Sequence, residues 1–318
     1  MEINTQNIRT LSFLGSCGTF GKIIEELATQ NNNIIALTAD LCSFAGLTRF
    51  AQNLPNQYYN VGIAEQNMVG IAAGMAKEGL IPFVTSYASF LTLRCADQIN
   101  VNVGYMNLPI KLVGLTSGLS VGILGPTHIC LNDVALMRAI PNLVIFSPAD
   151  CIETAKCIEK ASEINAPVYL RLTGTMGNPV VYKDDYNFEI GKAITLKDGS
   201  DIAIISTGTM VFNSLKAAKI LEEKGFSVKV INMHTLKPLD VTAIKECCSC
   251  KLIVTVEEHS IYGGLGSAVA EVLSNIENSP KHLIIGTQDE YIHAGDYKYL
   301  LESYGLTPER ISDRILEE

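Results

Sequence analysis

The chain has 318 residues, 47% of them hydrophobic, and a formal net charge of -9. That length and apolar content suffice for two ordinary cores, while the acidic balance and the lack of a clustered Lys/Arg stripe argue against a nucleic-acid surface. No apolar run approaches the roughly 20 residues that a membrane span requires, and the polar residues 1–10 lack a basic-then-apolar signal, so the expected location is the cytoplasm with no membrane contact.

Residues 1 to about 180 alternate apolar, strand-like runs (34–38, 81–85, 110–116, 143–147 and 167–172) with helical patterns, the order of a parallel sheet. Ser147-Pro148-Ala149-Asp150 reads as an N-cap, a proline at the first helical position and an acidic capping-box partner, opening a helix that runs to about residue 164. A polar, glycine-bearing passage over 174–200 then separates a second alternation. Its strands are expected at 202–206, 228–232, 252–256 and 283–286, with helices near 211–224, 241–248 and 264–275. The predicted fold is two consecutive open α/β domains with mainly parallel sheets, residues 1–185 and 186–318.

Nine cysteines, odd in number and scattered, fit reduced thiols better than a disulfide framework. Cys247 and Cys250 make a C-x-x-C pair around Cys248. No second pair or flanking histidine completes a tetrahedral zinc set, which leaves buried helix-end thiols as the expectation.

Glu65 stands where Tyr59-Asn60-Val61-Gly62-Ile63-Ala64 runs into the small-residue helix Gln66-Asn67-Met68-Val69-Gly70-Ile71-Ala72-Ala73-Gly74. If Val61, Ile63, Met68 and Val69 wall it from water, its charged form is disfavoured and its pKa rises, so that it can share a proton with a ligand. The alternative is an acid in a helix's first turn, worth about 0.3–1 kcal/mol. Gly70 and Gly74 let that helix approach a neighbour closely, within the domain or between subunits. Tyr87 and Phe90, three apart after a strand, suit one face of a helical turn, as core or as a stacking pair. Asp40 ends a strand, where open α/β sheets place ligands, or is a turn aspartate. His128 closes the glycine-rich loop Gly118-Leu119-Ser120-Val121-Gly122-Ile123-Leu124-Gly125-Pro126-Thr127, able to fold around a ligand, or else makes only local bonds. Glu257-Glu258-His259 and Gly263-Gly264-Leu265-Gly266 read as a strand end and a turn into a helix N-terminus, for packing or for an anion.

Thr38-Ala39-Asp40-Leu41, the Glu65 segment, Tyr87-Ala88-Ser89-Phe90-Leu91-Thr92-Leu93-Arg94, Gly125-Pro126-Thr127-His128, Ser147-Pro148-Ala149-Asp150 and Glu257-Glu258-His259 through Ser267-Ala268 resemble, in order, the motifs of thiamine diphosphate enzymes of the transketolase family. The resemblance covers about residues 10–318 and implies a pyrimidine-binding domain followed by the family's C-terminal domain. It further implies that Glu65 hydrogen-bonds the ring nitrogen of the cofactor's aminopyrimidine, that Phe90 stacks on that ring with Tyr87 beside it, that Asp40 lies near the thiazolium, and that His128 reaches the substrate. Arg94 and His259 are further candidate substrate contacts.

The pattern also breaks. The Gly-Asp-Gly segment by which the family holds Mg2+ and the cofactor diphosphate is missing, so no metal site is expected on this chain and a companion subunit should supply it. The resemblance is thus to the second subunit of a split transketolase, self-associating and assembled with its companion in a heterotetramer. Leu124 replaces an aspartate that meets a substrate hydroxyl. Gly174 stands where the family carries a phosphate-binding arginine whose fork suits that anion, and Arg171 is expected to point elsewhere. The resemblance implies two-carbon ketol transfer between sugars, and these departures imply an atypical sugar or sugar phosphate as substrate. Alternatives are the β-subunit of a 2-oxo acid dehydrogenase, a deoxyxylulose phosphate synthase-like enzyme, and a non-catalytic partner subunit.

Overall fold

A computed structural model describes residues 3–318; Met1 and Glu2, the start of the polar opening stretch, lie outside the described residues. The first sheet takes Ile34–Thr38 (β1), Tyr58–Asn60 (β2), Ile81–Tyr87 (β3), Lys111–Ser117 (β4), Val144–Phe146 (β5) and Val168–Thr173 (β6). The second begins with Ile194–Lys197 (β7), Ile202–Ser206 (β8) and Val228–Asn232 (β9). The chain then returns to the first sheet for Thr235–Lys237 (β10) before completing the second with Leu252–Ser260 (β11) and Lys281–Thr287 (β12). The orders are β10-β5-β6-β4-β3-β1-β2 and β12-β11-β8-β9-β7. All pairings are parallel except β10 on β5 and β7 on β9.

Both sheets are covered on two faces, which is why β1 and β8 are buried at every position and read as continuous apolar runs. Successive side chains alternate. Ile35 and Leu37 share a core with Met68, Val69 and Ala72 of the helix Glu65–Lys77, whereas Ile34 and Ala36 share one with Phe20, Ile23 and Ile24 of the helix Thr5–Gln30. The expected fold class is borne out, and the runs at 34–38, 202–206 and 228–232 coincide with β1, β8 and β9.

Three features depart from the sequence reading. The helix Thr5–Gln30 has no clean apolar period, because Gly15 at φ 72° and ψ -179° breaks it in two. The helix expected to open at Ser147 spans Cys151–Glu163 instead. Its N-cap is Asp150, whose carboxylate accepts from Glu153 N at 2.9 Å, while Glu153 Oε2 accepts from Ala149 N at 2.7 Å. Ser147 is held at the sheet edge because its N–H donates to His234 O beside β10. That strand, borrowed from the second half of the chain, is the third departure.

The passage containing the expected boundary near 185 is pinned to both halves. Asp150 accepts from Val181 N and Tyr182 N, and buried Glu153 accepts from Tyr186 Oη and from Asn232 Nδ2 of β9.

Lys111 on β4 is wholly buried, with Nζ donating to Ile164 O at 2.8 Å and Ala166 O at 2.6 Å. Burial pushes its pKa from the ordinary 10.5 down to about 7. Between those two values the unfolded chain binds more protons, so stability rises with pH across that window, and the penalty is complete below about 7. Lys111→Met is expected to abolish this rise. Urea midpoints of both proteins from pH 6 to 9 check it, and parallel slopes would contradict the assignment.

Candidate functional site

In the first sheet β1 connects to β2 on one side, and β3 returns on the other side of β1. The strand order switches between β1 and β3, and the carboxyl ends of strands at such a point are where open α/β folds bind ligands. Glu65 stands there, in the first turn of the helix after β2 and only 2% exposed. Of the four side chains expected to wall it, Met68 and Val69 are fully buried, but Val61 is half-buried and Ile63 is 77% exposed. The remaining space belongs to polar partners. Ser86 Oγ of β3 donates to Oε1 at 3.2 Å, and Arg94 Nη1 donates to Oε2 at 2.6 Å.

Phe90 and Arg94 bound a π-helical turn directly after β3, and a second one spans Ile99–Tyr105. Wide turns of this kind are frequent at functional sites because they re-aim side chains. Here the turn swings Arg94 back until its Cζ lies 4.3 Å from the Phe90 ring centroid. Arg94 thus meets Glu65 and Phe90 together, a role that its sequence position did not suggest.

Tyr87, Phe90 and His128 form one aromatic cluster. Ring centroids lie 5.8 Å apart for Tyr87–Phe90, 5.4 Å for Tyr87–His128 and 5.0 Å for Phe90–His128, all edge-on. In each pair the positive edge of one ring meets the negative face of the other. Thr127 Oγ1 lies 3.0 Å from His128 Nδ1, and among the described residues nothing hydrogen-bonds Nε2. Ile123 and Leu124 in the same loop are 76% and 46% exposed. Asp40, at φ 60° beyond β1, is exposed and bonded to Asn60, whose Nδ2 donates to Oδ1 at 3.1 Å; it stands at the same sheet edge but outside the aromatic cluster.

His259 does not join the site. It is fully buried, with Nε2 3.9 Å from Asp133 and Nδ1 3.9 Å from Glu257, and burial lowers its pKa. It reaches no substrate from there. Nor is the following helix N-terminus open to an anion, since the Glu257 carboxylate accepts from Leu265 N at 2.7 Å and Gly266 N at 2.8 Å. A carboxylate on the first two N–H groups already supplies the negative charge that this helix start would offer an anion.

What the second domain does is grip the His128 loop. Glu258 accepts from Leu119 N at 2.5 Å, from Thr209 Oγ1 at 2.7 Å and from Tyr297 Oη at 2.7 Å. It packs so tightly on Gly118, at φ 73°, that a Cβ there would meet its carboxylate. Gly295 N donates to Gly122 O at 3.2 Å further along the same loop. Beneath it, buried Arg171 donates to Asp133 at 2.8 Å and to Glu258 O at 2.8 Å, and Tyr169 donates to Asp133 at 2.7 Å. Arg171 thus points into this network and away from the loop, and neither Tyr169 nor Asp133 carries a local sequence signal.

Gly174 has φ 80°, and a Cβ there would collide with the Asn178 amide, which accepts from Thr175 N at 2.9 Å. A long basic side chain has no place at that turn. Cys247, Cys248 and Cys250 are free thiols; burial pushes Cys247 up to about 12. Among the described residues no group of three or more His, Cys, Asp or Glu side chains is arranged for a metal ion. Likewise no helix there is long and apolar enough to cross a membrane.

The transketolase pyrimidine-binding domain family matches residues 17–177 and the transketolase C-terminal domain family matches residues 191–311. One subunit of the apulose-4-phosphate transketolase of Phocaeicola vulgatus is 40% identical over 301 residues, covering 94% of this chain and 96% of its own length. The 6-deoxy-6-sulfo-D-fructose transketolase subunit SqwH of Clostridium sp. (strain MSTE9) is 38% identical over 297 residues, covering 92% and 91%. A solved split-gene transketolase, an inactive β4 tetramer, superimposes with a TM-score of 0.87 at 38% identity, covering 95% of this chain and 97% of its own. The chain belongs to the transketolase family, carrying the pyrimidine-binding and C-terminal domains of a split transferase of this type.

Proposed function

We propose that this chain is the second subunit of a thiamine diphosphate-dependent transketolase-type enzyme, completed by a companion that supplies Mg2+ and the diphosphate site. The observation that carries the reading is Glu65, a carboxylate removed from water at the switch point and bonded to the guanidinium that lies over the Phe90 ring. The fit to an aminopyrimidine is tested by what already lies there. The Arg94 guanidinium, flat and rich in N–H groups, donates to Glu65 and stacks on Phe90, the two contacts such a ring needs.

When bound, the coenzyme supplies the electron sink that lets the carbon–carbon bond beside a ketose carbonyl break and re-form. Glu65 holds the proton at the ring nitrogen. Phe90 presents its face with Tyr87 beside it, and Asp40 is assigned to the thiazolium end. His128 donates from Nε2 to a substrate oxygen. The apolar Ile123 and Leu124 and the blocked turn at Gly174 support a specialised sugar. Relatives are named for apulose 4-phosphate and for a 6-deoxy-6-sulfo sugar, which agrees with such a shift.

Gly70 and Gly74 face open space on the helix behind Glu65, a surface suited to close helix contact in a heterotetramer. The nine thiols, all free, suit the cytoplasm. The test is reconstitution with the companion chain, Mg2+ and thiamine diphosphate, offering apulose 4-phosphate and 6-deoxy-6-sulfofructose as donors with an aldehyde acceptor. Ketol transfer by the pair and by neither chain alone is expected; turnover by this chain alone, or none by the pair, would remove the reading.

A further inference from the structure

The Glu65 seat is already filled by the chain itself. Arg94 Nη1 lies 2.6 Å from Glu65 Oε2, its Cζ covers the Phe90 face at 4.3 Å, and among the described residues the guanidinium has no hydrogen-bond acceptor other than Glu65. Tyr87 and His128 pack on the same Phe90 ring at 5.8 and 5.0 Å, so the guanidinium covers ring surface that a stacking ligand would need. Glu65 is 2% exposed whereas the Arg94 side chain is 42% exposed. One partner is fixed in the fold and the other has an open path to solvent. The Arg94 backbone is anchored independently, its carbonyl accepting from Gln66 Nε2 at 3.1 Å.

Resting on the reading above, we propose that the Arg94 guanidinium is a built-in occupant of the aminopyrimidine seat, displaced into solvent when the coenzyme docks. A guanidinium and an aminopyrimidine are both planar N–H donors that stack on an arene and bond a carboxylate, so they compete for the same two contacts. In the empty protein the arginine spares Glu65 the cost of a buried, unpaired charge. The coenzyme must then bind against this internal competitor, which keeps the seat closed in a chain without its companion.

The test is isothermal titration of the companion-reconstituted complex with thiamine diphosphate and Mg2+, in wild type, Arg94→Gln and Arg94→Lys, together with thermal unfolding with and without coenzyme. Removing the competitor is expected to tighten binding about tenfold. The coenzyme-free Arg94→Gln complex should melt lower than wild type, while its rise in midpoint on loading should be larger. A merely structural arginine would lower both midpoints alike. Arg94→Lys keeps the charge but loses the stacked plane, so its affinity should fall between the two, and it decides the matter alone if Arg94→Gln does not fold. Binding by the variants no tighter than wild type overturns the proposal. Failure of the wild-type complex to take up the coenzyme at all overturns the functional reading and this proposal with it.

Discussion

Glu65→Gln in the reconstituted pair is expected to lower kcat by about 10²–10⁴-fold, the usual contribution of a positioned acid, while coenzyme uptake persists and KM for the ketose changes far less. Glutamine keeps the shape of the side chain; its carbonyl oxygen can accept from Arg94 Nη1 while its amide N–H donates to Ser86 Oγ, a hydroxyl that also accepts, so the cradle survives. What it loses is the proton that a carboxyl exchanges with a ring nitrogen. A loss confined to kcat marks an interaction made in the transition state rather than in binding. Turnover assays at saturating coenzyme, paired with coenzyme titration, separate the two quantities. Unchanged turnover would exclude Glu65 as activator and leave the non-catalytic partner as the better account of this chain.

Arg171→Met is expected to destabilise the protein by about 3–5 kcal/mol, because it strips the counter-ion from a buried charge. Asp133 is fully buried; burial alone would raise its pKa, but the Arg171 guanidinium outweighs that and holds it below the ordinary value. Without Arg171, Asp133 retains Tyr169 Oη as a neutral donor, and Glu258 O loses its partner. The Asp133→Leu/Arg171→Met pair should recover much of the loss, since a buried ion pair replaced by apolar groups of similar size is often close to neutral. Urea midpoints at fixed protein concentration read both effects. Equal destabilisation by the single and double variants would show that the two side chains do not act as a pair. Because Arg171 also holds the strand that carries Glu258, the single variant should raise KM more than it lowers coenzyme affinity.

Much of the fold was legible from neighbours two to four residues apart. Continuous apolar runs marked strands covered on both faces, as in β1 and β8, and the small-residue helix behind Glu65 stood out from its glycines and alanines. Short or exposed elements such as β2 and β7 carry too few residues to show a period. The borrowed strand β10 has no local cue to which sheet it joins, since its partner Phe146 is distant along the chain.

From residue types and spacing alone, the chain determined a parallel α/β architecture, an acid at a strand-to-helix junction, two aromatic rings three apart and a glycine-rich loop ending in histidine. Only the tertiary structure decided who meets whom: Arg94 on Glu65 across 29 positions, Arg171 on Glu258 across 87, and Glu258 on Leu119 across 139. The reason is physical. Local periodicity reports which face of an element is apolar, whereas ion pairs and hydrogen bonds between distant segments depend on how whole sheets and turns dock, and a π-helical turn or a strand exchanged between sheets redirects a side chain without altering the pattern around it.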